Sequence, residues 1–234
     1  MSIEICIINP YATEKSNAKL KKCVSEVIDK DSTVYLNEKS IVEDYYSYYL
    51  ETTNISTLVK EIESNNTSDA FIIACYEDVG IDVIRKITSK PVIGIGEAAF
   101  YTAGIIANKF SIITNLSVSH EALKNNLKKY DLDQKCVSLK SIEVPILDME
   151  TMSKSNIKKL ENEINRTICE DKPEAIIITS PGILNLTKIF SDRFNIPIVE
   201  GVTAAATLLE NLSKQGLKIK KFTEPLNRNY SVKI

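Results

Sequence analysis

The chain has 234 residues, of which 44% are hydrophobic, enough to bury a core in one large domain or in two small lobes. Its formal net charge at pH 7 is −2, so the protein has no overall positive field of the kind that attracts phosphate backbones. The basic runs are short and interspersed with apolar residues. Nucleic acid is therefore not expected as a partner.

The first residues lead directly into an apolar strand pattern, without the basic flank, long apolar stretch and small-residue cleavage site of a secretory signal. No apolar run approaches the length that spans a membrane. The five cysteines are odd in number and widely spaced, with no Cys-x-x-Cys pair, so neither a disulfide framework nor a zinc site is expected. We expect a cytoplasmic protein with free thiols and no membrane partner.

Short apolar runs alternate with amphipathic helical patterns along the chain. The apolar runs are rich in β-branched residues and predict buried parallel strands at residues 3–8, 70–74, 91–95, 110–114, 175–179 and 196–199. Candidate helix N-caps are Thr13, Ser56, Ser119 and Ser155. This alternation predicts an α/β fold with doubly wound parallel sheets, which place ligands at the carboxyl ends of their strands.

An internal repeat is the most informative feature of the sequence. The segment 69–75 (DAFIIAC) aligns without a gap to the segment 174–180 (EAIIITS), and in each half a helical stretch, a strand that opens with proline and a small-residue helix follow. Residues 5–9 (ICIIN) resemble residues 111–115 (SIITN) in the same way. The strands of both copies would then end at Asn9, Cys75, Asn115 and Ser180.

The repeat predicts two pseudo-symmetric lobes with an active site in the cleft between them. We expect the N-terminal lobe at residues 1–100, completed by a C-terminal helix at about 203–234, and the C-terminal lobe at residues 101–202. Chance matching of common strand compositions is the alternative. The agreement in order and spacing over several elements favours duplication.

Cys75 is the first candidate for chemistry, because it ends an apolar strand and precedes a polar turn that opens a helix. A thiol facing the backbone N–H groups of a helix N-terminus ionises more easily and can act as a nucleophile or a base. The alternative is a small buried hydrophobic residue, the usual state of a free cysteine. Glu77 and Asp78 would oppose ionisation of the thiol, and we interpret them as first-turn helix residues.

Ser180 is the second candidate, and it precedes Pro181 and Gly182 at the corresponding strand end. A serine hydroxyl without a base is a poor proton acceptor. The single histidine, His120, lies in an amphipathic pattern and is expected on a helix surface, and no Gly-x-Ser-x-Gly turn is present. A Ser-His-Asp hydrolase is therefore not expected.

Two other patterns have structural and functional interpretations. Gly94-Ile-Gly96 follows a strand and opens a helix, as in a dinucleotide-binding turn, but no acidic residue ends the next strand to hold a ribose. Structural turn glycines are the favoured interpretation. The tyrosine cluster Tyr45, Tyr46, Tyr48 and Tyr49 could cover a pocket or pack as a loop or helix face.

Taken together, these residues resemble the cofactor-independent aspartate, glutamate and hydantoin racemase superfamily, and within it the hydantoin racemases. The resemblance spans nearly the whole chain. Its stretches are Ile8-Asn9-Pro10, Ser40-Ile41, Ala74 to Asp78 with Gly80, Pro91 to Ala99, Phe110 to Thr114, and Pro197 through Gly201 to Ala205. The resemblance implies a small-molecule substrate, no cofactor, a homo-oligomer, and two cysteines that act as base and acid on opposite sides of the substrate's α-carbon.

By this resemblance Cys75 falls on the first catalytic cysteine and Ser180 on the position of the second. Asn9, Thr114 and Asn115 fall at positions that hold the substrate's carboxylate or ring carbonyls, and backbone after Cys75 and Ser180 would add hydrogen-bond donors. The substrate-binding set that the resemblance implies is Asn9, Tyr11, Tyr76, Thr114, Asn115, Pro181 and Gly182.

The chain departs from the family at Ser180, because a hydroxyl is a far weaker acid than a thiol, and at Tyr11, where the family has asparagine. Three functions stay open. The first is a racemase or isomerase acting at the α-carbon of a small carboxylate, amino acid or hydantoin. The second is a one-cysteine decarboxylase or lyase, because the resemblance includes single-cysteine relatives that perform decarboxylation or isomerisation. The third is a binding protein that lost turnover.

Overall fold

A computed structural model describes residues 2–10, 12–38, 55–145, 148, 153–180 and 183–220. Within these residues the strands form two four-stranded parallel sheets. The first sheet has the order β2-β1-β3-β4, with β1 Glu4–Ile8, β2 Thr33–Leu36, β3 Ala70–Ile73 and β4 Val92–Gly94. The second has the order β6-β5-β7-β8, with β5 Phe110–Thr114, β6 Cys136–Ser141, β7 Ala175–Ile178 and β8 Ile198–Val199.

Helices connect these strands, as parallel pairing requires. They are α1 Glu14–Ser25, α2 Ile55–Ser64, α3 Ile81–Ile87, α4 Ile95–Ile106, α5 His120–Lys129, α6 Lys154–Asp171, α7 Thr187–Phe194 and α8 Gly201–Lys214. In the part of the chain that the structure describes, no helix combines the length and apolar character that a membrane span needs. The predicted α/β class with two parallel sheets is confirmed.

The predicted helix caps are only partly confirmed. Thr13 caps α1 through a capping box with Ser16, in which the Thr13 side chain accepts from the Ser16 N–H. Ser119 directly precedes α5 without a capping side-chain hydrogen bond. Ser56 and Ser155 lie inside helices, and Ser153 caps α6 instead, so those two predictions are wrong.

The internal repeat is confirmed at the level of topology. The strand orders β2-β1-β3-β4 and β6-β5-β7-β8 become identical when four is added to each number in the first sheet. The aligned segments 69–75 and 174–180 accordingly contain β3 and β7. Each half is one α/β unit in which the central pair of strands carries the aligned strand ends.

Both faces of each sheet are covered by apolar side chains. In β1, Ile5 and Ile7 belong to a core cluster that extends into the second half. Cys6 and Ile8 belong to a separate cluster of first-half residues, against which Ile219 from the end of the described chain also packs. The second half has its own outer cluster around Ile113 of β5. Alternating side chains that are buried on both faces account for the continuous apolar runs in the sequence.

Helices α4 and α8 join the two halves. α8 packs against β3, β4 and α1, and α4 packs against β7 and β8 as well as β4. The two helices also pack against each other, so closely that a Cβ atom on Gly201 would lie 1.9 Å from the Ile95 carbonyl oxygen. The boundary of the lobes at residue 100, with a C-terminal helix returning to the first lobe, stays a prediction.

Candidate active site

Four polar side chains lie at the carboxyl ends of the central strands. Asn9 follows β1 directly and Asn115 follows β5 directly, whereas Cys75 and Ser180 come two residues after β3 and β7. All four are buried, with exposed fractions of 4%, 3%, 4% and 0% in that order. The two halves therefore place an amide side chain and a hydroxyl or thiol at equivalent strand ends.

The turn after Cys75 differs from the prediction. Helix α3 begins at Ile81, after Gly80, so Glu77 and Asp78 are not first-turn helix residues. A positive φ of 51° at Asp78 bends the chain and directs the two carboxylates to different partners. Glu77 Oε2 lies 2.8 Å from Cys75 Sγ.

Asp78 caps helix α4 from eighteen residues away in the sequence. Its carboxylate accepts hydrogen bonds from the N–H groups of Gly96 at 3.1 Å and Glu97 at 2.7 Å, and from the Tyr130 hydroxyl at 2.9 Å. A Cβ atom on Gly94 would lie 1.7 Å from Asp78 Oδ1. The glycines thus make room for the Asp78 side chain, which supports their interpretation as structural turn residues. Because Asp78 already binds the first N–H groups of α4, the start of this helix is occupied.

Burial gives Asp78 an unusual titration. Burial is the largest cause and raises its pKa to about 8, against the hydrogen bonds from Tyr130, Glu97 and Gly96, which lower it. In the unfolded chain Asp78 ionises near its ordinary pKa. At a pH between that value and about 8, the folded protein therefore binds more protons than the unfolded chain does. The stability contributed by protonated Asp78 is full below the ordinary carboxyl pKa, and it is lost progressively as the pH rises from there to about 8.

We expect the Asp78→Asn variant to lack this pH dependence. Asparagine tolerates positive φ and keeps an oxygen acceptor for α4, but does not titrate. Between pH 5 and 7 the wild-type free energy of unfolding should fall relative to the variant by up to about 1.4 kcal/mol per pH unit. Urea unfolding at several pH values measures the difference, and parallel curves for the two proteins would contradict the assignment.

Asn9 uses its amide to hold the start of the first helix. Its Nδ2 donates to Ser16 Oγ at 3.1 Å and to Asn17 Oδ1 at 2.9 Å, and its backbone N–H donates to Asn37 Oδ1 at 2.6 Å. Asn37 Nδ2 donates in turn to the Asn9 carbonyl at 2.9 Å. Asn9 is therefore fixed in orientation at the strand end, and its role in substrate binding stays a prediction.

Asn115, the counterpart of Asn9, has no such partners. Both its Oδ1 and Nδ2 are buried, and neither has a hydrogen-bond partner within the described residues. Leaving a buried amide unpaired costs roughly 1–3 kcal/mol per polar group. A side chain of this kind at a strand end is suited to bind a polar ligand. In the sequence, Asn115 was identified by its alignment with Asn9.

Thr114 precedes Asn115 and is almost fully buried. Its hydroxyl donates to the Leu116 carbonyl at 2.9 Å and lies 3.3 Å from His120 Nε2. His120 was expected on a helix surface, but it is half-buried at the start of α5, and burial lowers its pKa. The role of Thr114 in substrate binding stays a prediction.

Tyr76 connects the site to the central helices. Its buried hydroxyl accepts a hydrogen bond at 3.0 Å from the N–H of Gly201, the first residue of α8. Burial raises the pKa of Tyr76, which keeps it neutral. The other residues predicted to bind substrate, Tyr11, Pro181 and Gly182, and the tyrosine cluster at Tyr45, Tyr46, Tyr48 and Tyr49, lie outside the described residues.

Two hydrogen bonds between the halves lie near the ends of β3 and β7. Asn126 of α5 donates through Nδ2 to the Glu77 carbonyl at 2.7 Å. On the other side, the Cys23 thiol of α1 donates to Asn185 Oδ1 at 3.5 Å, five residues after Ser180. Each turn that follows a candidate catalytic residue therefore touches a helix of the opposite half.

The amino-acid sequence matches the model of a known protein family. The family model for Asp/Glu/hydantoin racemases matches residues 5–209, most of the chain. The chain belongs to this family. It is thus a member of a family of racemases, which are isomerases, and the predicted resemblance is confirmed.

Individual relatives agree with this membership. The chain is 26% identical to a hydantoin racemase of Pseudomonas sp. (strain NS671), over 97% of this chain and 94% of that protein. It superposes on the structure of an allantoin racemase from Klebsiella pneumoniae with a TM-score of 0.86 and 26% identity, covering 95% and 92% of the two chains. A variant of arylmalonate decarboxylase shares the fold at 13% identity, with a TM-score of 0.67 and coverage of 92% and 94%.

Proposed function

We propose that this family member is a cofactor-independent isomerase that acts at the α-carbon of a small carboxylate, amino acid or hydantoin. Cys75 is the acid and base on one face of the substrate, and Ser180 stands opposite in place of a second cysteine. The observation that carries the proposal is the placement of these two buried side chains at equivalent ends of β3 and β7. Similarity to hydantoin and allantoin racemases supports the substrate class.

The proposed chemistry begins with removal of the α-proton. The C–H bond breaks, the proton moves to the Cys75 sulfur, and the electron pair moves onto the adjacent carbonyl to give an enolate-like anion. Hydrogen-bond donors that are already in place stabilise such charge best in a water-excluded site. The unpaired, buried amide of Asn115 is one such donor, and it supports the predicted role in holding a substrate carbonyl.

The second proton transfer decides the product. Return of the proton from Cys75 restores the starting stereochemistry, whereas delivery from the opposite face inverts it. Ser180 is a weak acid for that delivery, and an unassisted hydroxyl is a poor partner in proton transfer. We therefore propose that exchange of the α-proton with solvent on the Cys75 face is faster than racemisation.

A decarboxylase or lyase is the second candidate for the same site. Loss of carbon dioxide leaves the same carbanion, and a single thiol then suffices to protonate it. The serine at position 180 favours this reaction over two-base racemisation. A ligand-binding protein without turnover is the third candidate, because a pocket can be kept after its chemistry is lost.

One experiment separates the three. The wild-type protein is incubated in deuterium oxide with a panel of amino acids, hydantoins and substituted malonates, and each reaction is followed by NMR. Deuterium entering the α-carbon without loss of carbon supports the isomerase. Release of carbon dioxide with a single deuterium incorporated supports the decarboxylase. Binding without either change supports the ligand-binding protein and contradicts the proposed enzyme.

A further inference from the structure

Cys75 and Glu77 are in direct contact in the candidate site. Their Sγ and Oε2 atoms lie 2.8 Å apart, with the thiol donating to the carboxylate. Cys75 is buried and Glu77 is half-buried, so the pair connects the strand end with the surface. A carboxylate beside a thiol favours the protonated thiol, because two negative charges at this distance repel each other.

The backbone on both sides of Glu77 is held in place. The Asp78 N–H donates to the Cys75 carbonyl at 3.2 Å, and the Asp78 carboxylate is fixed by the start of α4. The Glu77 carbonyl accepts from Asn126 Nδ2 at 2.7 Å. Because these contacts fix the backbone of the turn, the Glu77 carboxylate can occupy few positions, and one of them is in contact with the Cys75 sulfur.

Five other titratable groups around this turn have partners of their own. Asp78 binds α4 and Tyr130. Glu200 accepts from the Val202 and Thr203 N–H groups of α8 at 2.7 and 3.0 Å, and the Tyr76 hydroxyl accepts from Gly201. From α5 and α3, Lys129 and Asp82 pair with each other at 2.7 Å. Glu77 is the carboxylate that contacts the sulfur.

Building on the proposed function, we propose that Glu77 is a positioning residue that holds Cys75 as a thiol and exchanges a proton with it during the reaction. When the sulfur takes the substrate's α-proton, the proton it already carries moves to Glu77 Oε2. The carboxylate becomes a carboxylic acid, the sulfur stays a thiol, and the negative charge passes to the enolate. The reverse sequence returns a proton to carbon, and Glu77, which is partly exposed, exchanges its own proton with water.

The first test uses alkylation of Cys75 and needs no substrate. Wild type, Glu77→Gln and Asp82→Asn are treated with iodoacetamide from pH 6 to 10, and labelling of the Cys75 peptide is followed by mass spectrometry. We expect Glu77→Gln to be alkylated about tenfold or more faster at pH 7, since loss of the adjacent charge raises the thiolate fraction. The Asp82→Asn control removes an exposed carboxylate nearby and should match wild type. A Glu77→Gln profile that coincides with wild type overturns the proposal.

The second test compares pH profiles of α-proton exchange on any panel compound that the wild type exchanges. Proton transfer through Glu77 predicts a wild-type exchange rate that is nearly constant from pH 6 to 8 while alkylation rises. In Glu77→Gln the thiolate must act directly, so exchange and alkylation should rise together. Wild-type exchange that follows alkylation over this range overturns the relay. If the wild type exchanges the α-proton of no panel compound, the proposed function is contradicted. The alkylation test then still decides whether Glu77 holds Cys75 as a thiol.

Discussion

Changing Cys75 to alanine is expected to reduce α-proton exchange by at least about a thousandfold, because it removes the group proposed to carry the proton. General acid–base groups contribute roughly 10²–10⁴-fold to a rate. Alanine fits the space of a buried cysteine without a new polar group, so the fold should persist. NMR measures exchange in deuterium oxide, and thermal unfolding shows that the variant is folded.

Cys6→Ala is the matched control for that variant. Cys6 is a buried thiol of β1 in the same apolar cluster as Cys75, and burial raises its pKa to about 12, which keeps it an inert thiol. Its loss should lower stability to a similar degree while exchange continues at the wild-type rate. Equal exchange by Cys75→Ala and wild type would remove the catalytic assignment.

Gly201→Ala is expected to destabilise the protein by about 3 kcal/mol or more. The added Cβ atom would lie 1.9 Å from the Ile95 carbonyl oxygen and 2.9 Å from Ile95 Cβ. The obstacle is backbone at the contact between α4 and α8, so relief requires the two helices to separate. That movement would also stretch the hydrogen bond from the Gly201 N–H to Tyr76.

Gly104→Ala is the control, since Gly104 lies inside α4. Among the residues that the structure describes, a Cβ atom there would meet only the Leu132 side chain, at 3.0 and 3.8 Å, and a flexible side-chain end can move aside. Alanine is a better helix former than glycine by about 1 kcal/mol. Urea unfolding should therefore show Gly104→Ala equal to or above wild type, and similar losses in both variants would contradict the helix contact.

The sequence predicts the four central strands and the edge strands β4 and β8, but it misses the other two edge strands. β1, β3, β5 and β7 are buried on both faces, and their continuous apolar runs are visible in the sequence. β2 and β6 were missed. They are edge strands in which every side chain except Val34 is partly or fully exposed, and β6 includes Lys140, so they lack the apolar run that signals a buried strand.

The candidate site was also predictable only in part. The repeat identifies Cys75, Ser180 and Asn115 as residues at strand ends, because position along a strand is a local property. The partners of Glu77 and Asp78 were not predictable in this way. They depend on a left-handed residue and on helix α4, whose first turn lies eighteen residues further along the chain, and neither is visible in local spacing.

The central claim is that one small molecule binds between the ends of β3 and β7. It is tested most directly in a Ser180→Cys variant, with the panel compound that the wild type exchanges fastest. Iodoacetamide labelling of both thiols is measured as this compound is added, with exposed Cys169 as the internal control. We predict that labelling at positions 75 and 180 falls in parallel with one apparent Kd, while Cys169 is unaffected. Protection of one position with an unchanged rate at the other would contradict a shared site.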